Sequence, residues 1–177
     1  GAFWEWPIAD PSYFYLFDSV HIAQFTPPGE SFHPGTPVQI LGALALRLAY
    51  PLSSGAELAA RVFDDPEAHL RLLSNVLLWL NAVALLLAGA AVRAHQGSLP
   101  LALFMQAGPF LSMVILKNAY HVRPESLLIA TALALSVLVL AAGRTWSRDG
   151  VTPLGVHSHD ARRLALAFGA VAGFGVA

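Results

Sequence analysis

The chain has no cysteine, which excludes disulfide cross-links and thiolate metal sites but does not fix the compartment. Charge is scarce too. Only 12% of the 177 residues are Asp, Glu, Lys or Arg, where a soluble domain of this length carries roughly 25%. No phosphate-loop, GxGxxG, HExxH or GxSxG motif occurs, so phosphate-loop ATPases and the common hydrolases gain no support. The opening 'GAFWEWPIADPSYFY' has neither the basic n-region nor the apolar h-region of a signal peptide.

What is present in excess is apolar: 56% hydrophobic residues and a mean hydropathy of +0.59. Leu72–Val92, Leu99–Leu116 and Leu127–Gly143 contain no ionisable residue. Each is close to the ~20 apolar residues that carry a helix across a bilayer. The pattern predicts an all-α integral membrane protein, a multi-span helical bundle with an extracytoplasmic loop and juxtamembrane helices. Spans are expected over about 70–93, 99–117 and 124–143, with a truncated one over 161–177. Residues 1–66 then form a first extracytoplasmic loop, and 67–177 part of the bundle. Within that loop the segment of about 37–52 is short for a span and contains Arg47, which suits a juxtamembrane or re-entrant helix. A start without Met and a stop inside an apolar run lead us to expect a piece of a longer membrane protein, with helices on both sides.

Lys and Arg near span ends collect on the cytoplasmic side. Arg93, and then Arg144, Arg148, Arg162 and Arg163, bracket two loops that this rule places together in the cytoplasm. The first 66 residues and the loop Lys117–Pro124 then lie outside. In the first of these, Glu5, Asp10, Asp18, Glu30, Glu57, Asp64 and Asp65 outnumber Arg47 and Arg61. Such an acidic outer side does not suit a nucleic-acid partner.

Helix starts are marked on the same side. Asp65 is placed to cap a helix opening at Pro66, and Thr36 to cap one opening at Pro37, with Gln39 at the capping-box position. Pro124, followed by Glu125, marks a third. Gly108-Pro109 is a kink signal inside the 99–117 run.

Three outer clusters carry the polar chemistry. In 'ADPSYFYLFDS', Asp10 is either a cap for a helix beginning at Pro11 or a general base for a hydroxyl. Asp18 is expected on a solvated polar face. In 'FHPGTPVQ', His33 stands beside a stiff turn and a helix start at Thr36, which is either a plain corner or one wall of a site. In 'KNAYHVRPE', Lys117, His121, Arg123 and Glu125 form the densest charge group. It is either an interfacial anchor with snorkelling side chains or an anion site, since cations are disfavoured outside and a helix N-terminus follows. His157 and His159 fit a solvated loop better than a metal site, and Asn75 and Asn81 suit interhelical hydrogen bonds.

Taken together, 'ADPSYFYLFDSVHIAQ', 'FHPGTPVQILGALALRL' and 'YHVRPESLLIATAL' resemble the GT-C superfamily of integral-membrane glycosyltransferases. The likeness is to bacterial proteins related to the dolichyl-phosphate-mannose protein mannosyltransferases. The resemblance implies a polyprenyl-phosphate-linked sugar donor, a lipid, glycan or protein acceptor, and a bacterial inner-membrane location with an extracytoplasmic site. By placement it implies Asp10 as the catalytic base. Lys117, His121 and Arg123 would bind the donor phosphate, and His33, Thr36, Glu125 and Asp18 would form the site wall. Many members carry an Asp-Glu pair where this chain has Asp10-Pro11, which removes an adjacent second carboxylate. No cofactor is called for, and a divalent cation is left open. The competing class is a multi-span transporter or flippase of a lipid-linked or small anionic substrate, for which Asn75, Asn81, Gln106 and Pro109 would be the relevant residues. A non-catalytic anchoring subunit would need none of the outer cations.

Overall fold

The computed structural model describes residues 11–29 and 35–148. Asp10, His33, the loop with His157 and His159, and the expected span over 161–177 lie outside the described residues. Among these the chain is all helical, with no strand. The elements are α1 (Pro11–Ala23), α2 (Thr36–Ala49), α3 (Gly55–Asp64), α4 (Pro66–Gln96), α5 (Leu99–Ala107), a 3-10 turn (Gly108–Leu111), α6 (Met113–Asn118) and α7 (Pro124–Arg148).

Local chemistry sets most of these boundaries. Proline opens α1, α4 and α7, where its missing N–H and fixed φ cost nothing. Asp65 Oδ1 accepts from Ala68 N at 3.0 Å, as its capping position implies. α3 starts in a capping box: Ser54 Oγ accepts from Glu57 N, and Glu57 Oε2 accepts from Ser54 N at 2.8 Å. The backbone bond from Ser54, then its hydroxyl, hold the Glu57 carboxyl below its ordinary range. That contribution is present at neutral pH and is lost as pH falls through the lowered value. α1 ends with Phe25 N donating to Ile22 O and Thr26 N to His21 O, both at 2.9 Å. This is a Schellman closure, with Phe25 at φ 59° in the left-handed position usually held by glycine.

Thr36 does not cap α2. It is the exposed first residue of the helix; Gly35 occupies the cap position and no side chain closes it. The reason is steric. Gly35 sits against the Tyr15 ring, and a Cβ there would fall on the ring carbons. Seven residues on, Gly42 does the same for Ser19, whose Oγ donates to Tyr15 O at 2.6 Å.

The chain divides into two compact units. One comprises the chain up to Trp79 together with Lys117–Leu127. In it α1 and α2 run parallel: Tyr15 meets Gly35, Ser19 meets Gly42, and Arg47 Nε donates to Ala23 O at 2.8 Å. Arg47 also donates from Nη1 to Ser53 O at 2.7 Å, so the one cation of this apolar helix is used to tie two chain ends. Leu16 and Val20 of α1, Val38 and Leu46 of α2, Leu58 and Val62 of α3, and Leu73 and Leu77 of α4 form the core, with Val122 and Leu127. Each such aliphatic side chain contributes on the order of 1.5–3 kcal/mol by leaving water.

The other unit comprises Leu80–Leu116 and the chain from Leu128 onward. α4 contributes its second half here. Its 31 residues make it the one described helix long and apolar enough to cross a membrane, by length and composition. Only 28% of its most apolar window is buried, unlike a core helix of a soluble protein. Trp79, Val83, Leu86 and Leu87 are exposed. Residues 99–117, expected as one span, are not one helix. α5 ends at Ala107, the Gly108–Leu111 turn follows, and Ser112 is extended before α6. Pro109 supplies the physical cause, since it cannot donate in a continuous helix. Gln106 Nε2 donates to Leu85 O of α4 at 3.2 Å. α7 continues from Pro124 to Arg148, and Pro124–Val139 is a shorter apolar stretch.

The α1–α2 contact gives a direct test. Gly42→Ala would drive a methyl into Ser19 and is expected to cost about 1–3 kcal/mol of stability. Leu44→Ala, on the exposed side of the same helix, is expected to change it by less than about 0.5 kcal/mol. Chemical denaturation of the two variants measures the difference.

Candidate functional site

The site is assembled by α2, the first half of α4 and the turn Lys117–Arg123, all within one unit, with α1 packed against α2. Val38 in the first turn of α2 and Val122 between His121 and Arg123 are both 2% exposed and line the same apolar cleft. Leu41, Gly42, Leu73, Val76 and Leu77 complete its walls. The 'TPVQ' helix start and the 'YHVRPE' turn, 80 or more positions apart in the chain, therefore each place a valine on one cleft and in one core.

Asp18 is not on a solvated face. It is 5% exposed, its Oδ1 accepts from Gly29 N at 2.7 Å and its Oδ2 from Gln39 Nε2 at 2.8 Å. Gln39 is itself 2% exposed, so its amide serves Asp18 and not a capping box. The cause is the helix face. Gln39, Gly42, Ala43 and Leu46 share the i, i+3, i+4, i+7 stripe of α2 that packs inward. A buried amide there needs a partner, and Asp18 supplies it.

The charged turn is held by its own backbone and by one hydroxyl. Arg123 N donates to His121 O at 2.8 Å and Ser126 N to Arg123 O at 3.1 Å. Ser126 Oγ, fully buried, donates to Asn118 O at 2.5 Å and also bonds His121 O. The His121 ring stacks on Tyr120, with centroids 4.7 Å apart and planes 27° apart. Arg123 is partly buried, while Lys117 at the end of α6 and Glu125 in the first turn of α7 are exposed. Thus His121 and Arg123 flank the valine that closes the cleft. Lys117 and Glu125 stand farther along the chain on either side, open to water. Among the described residues no three His, Cys, Asp or Glu side chains gather to hold a metal ion.

Sequence reasoning passed over Ser126 and gave Gln39 the wrong role. Gln39 carried a usable signal, since a polar residue on an apolar stripe implies a buried partner. Ser126 carried a weaker one, as the third residue of a helix whose preceding turn is crowded with polar groups. His69 was passed over as well. It is 5% exposed, its Nδ1 bonds Asp65 O at 2.7 Å, and its ring packs on Tyr50 with centroids 5.6 Å apart. An acceptor at Nδ1 fixes the proton there. No chemistry in the cleft uses this histidine.

No protein family, no curated protein and no solved structure matches the chain.

Removing the Ser126 hydroxyl tests the turn. Ser126→Ala leaves two part-buried carbonyls without that donor and is expected to cost about 1–3 kcal/mol. Amide hydrogen exchange across 119–123 should quicken while exchange in α1 is unchanged.

Proposed function

We propose that the chain is part of a multi-span integral-membrane glycosyltransferase of GT-C type, working at the extracytoplasmic face of a bacterial inner membrane. It would move a sugar from a polyprenyl-phosphate donor to a lipid, glycan or protein hydroxyl. The observation that carries this reading is the meeting of Val38 and Val122 in one cleft. It brings the first turn of α2 and the cation-bearing turn to one cleft walled by α2 and α4. The exposed apolar surface of α4 and its length support residence in a membrane.

In this mechanism Asp10 removes the proton from the acceptor hydroxyl. The oxygen attacks the anomeric carbon, the bond from that carbon to the phosphate oxygen breaks, and polyprenyl phosphate leaves with inversion. Lys117, His121 and Arg123 hold the departing phosphate, where positive charge and donors fixed in advance stabilise developing negative charge. His33, Thr36 and Glu125 belong to the wall. Asp18, buried behind Gln39, supports that wall without facing the cleft. No step needs a cofactor, and a divalent cation beside the phosphate is compatible with the scheme. The partners are the lipid-linked donor, the acceptor and membrane lipids, with no nucleic acid.

A second reading, a transporter or flippase of a lipid-linked or small anionic substrate, is favoured by one observation. The 99–118 segment is a broken helix, with Gln106 reaching the backbone of α4. Discontinuous helices are frequent at transport sites. The concentration of cations in a single turn argues for surface chemistry.

The test is transfer from a panel of polyprenyl-phosphate sugars in membranes carrying the full chain, wild type against Asp10→Asn. The proposal expects release of polyprenyl phosphate by the wild type and a loss of about 10²–10⁴-fold in the variant at equal membrane insertion. Wild-type turnover in Asp10→Asn would remove Asp10 as the base.

A further inference from the structure

We infer that Asp18 and Gln39 form a clasp that positions the start of α2, and that Asp18 acts through it without touching substrate. The inference rests on the glycosyltransferase reading for what the clasp serves, though not for the clasp itself. One carboxylate grips the chain at residue 29 and again at residue 39. Those two points bracket the stretch that holds the Gly35–Thr36 helix start. Both donors are neutral and both bonds are short, at 2.7 and 2.8 Å. Each carboxyl oxygen accepts one of these two donors.

The clasp sits one residue from the cleft. Val38, which lines it with Val122, is the neighbour of Gln39, and Tyr15, one turn before Asp18, backs Gly35. A shift of Gln39 would carry Val38 with it and open the join to the His121–Arg123 turn. The fold places no described cation on Asp18 through a hydrogen bond, so the role is geometric and not a relay of charge toward the phosphate.

This geometry makes an uncommon set of substitutions informative. Asp18→Asn can keep both links, because Asn Oδ1 accepts from Gly29 N while Asn Nδ2 donates to Gln39 Oε1 once the Gln39 amide turns over. Gln39→Glu keeps the second link only at the cost of taking up a proton, since it sets two carboxyl groups in contact in a buried place, where both cannot ionise. The pair Asp18→Asn with Gln39→Glu restores a donor facing an acceptor, with the roles exchanged.

The experiment measures thermal unfolding and sugar transfer for the full chain in lipid nanodiscs, across wild type, Asp18→Asn, Gln39→Glu and the exchanged pair. Turnover is read well below each variant's unfolding temperature. We expect Asp18→Asn to unfold near the wild-type temperature, Gln39→Glu to unfold earlier and lose kcat with little change in KM, and the pair to recover both. Equal and additive losses in the pair would overturn the clasp. Recovery of stability with kcat untouched in folded Gln39→Glu would overturn the positioning role and leave a purely structural contact. If no variant transfers any sugar, wild type included, the glycosyltransferase reading fails; the positioning role falls with it, and the unfolding data alone decide the clasp.

Discussion

Everything near the candidate site depends on how closely α1 and α2 approach. The two helices run parallel, Tyr15 on Gly35 and Ser19 on Gly42, with no room for a Cβ at either glycine. Close approach buries polar groups that must then find partners. Ser19 bonds back to its own helix, Asp18 and Gln39 bond each other, and Arg47 bonds the carbonyls of Ala23 and Ser53. The polar atoms buried by the contact thus become the ties that fix its register.

That register is what presents Val38 to Val122. α2 is held on α1 by the glycines and on α4 by Leu73, so its first turn has one place to go. The Lys117–Arg123 turn is shaped separately, by Ser126 and its own backbone, and reaches the same core through Val122 and Leu127. Two independently built pieces share one apolar cleft, with His121 and Arg123 on either side of Val122 in the chain.

Much of the helical plan was legible in the chain. Proline at 11, 66 and 124, the Asp65 cap and the Gly108-Pro109 break all mark boundaries found in the fold, because they act within a turn or two. The long uncharged run after Leu72 likewise marks α4. What could not be read was anything set by distant partners. Thr36 has the right chemistry for a cap, but the Tyr15 ring dictates a glycine at that position. Asp18 looks like a surface acid until α2 brings Gln39 against it. Asp10 and His33 stand outside the described residues, so their part in the site rests on sequence alone.

The absence of cysteine makes the central claim, that the α2 start and the cationic turn meet, directly measurable. Cysteines placed at Val38 and Val122 of the full chain in its membrane should be joined by a short bifunctional thiol reagent. A pair at Leu48 and Val122, with Leu48 exposed at the far end of α2, should not. Efficient joining of the first pair alone is the result this account predicts. Equal joining of both pairs, or of neither, would contradict it.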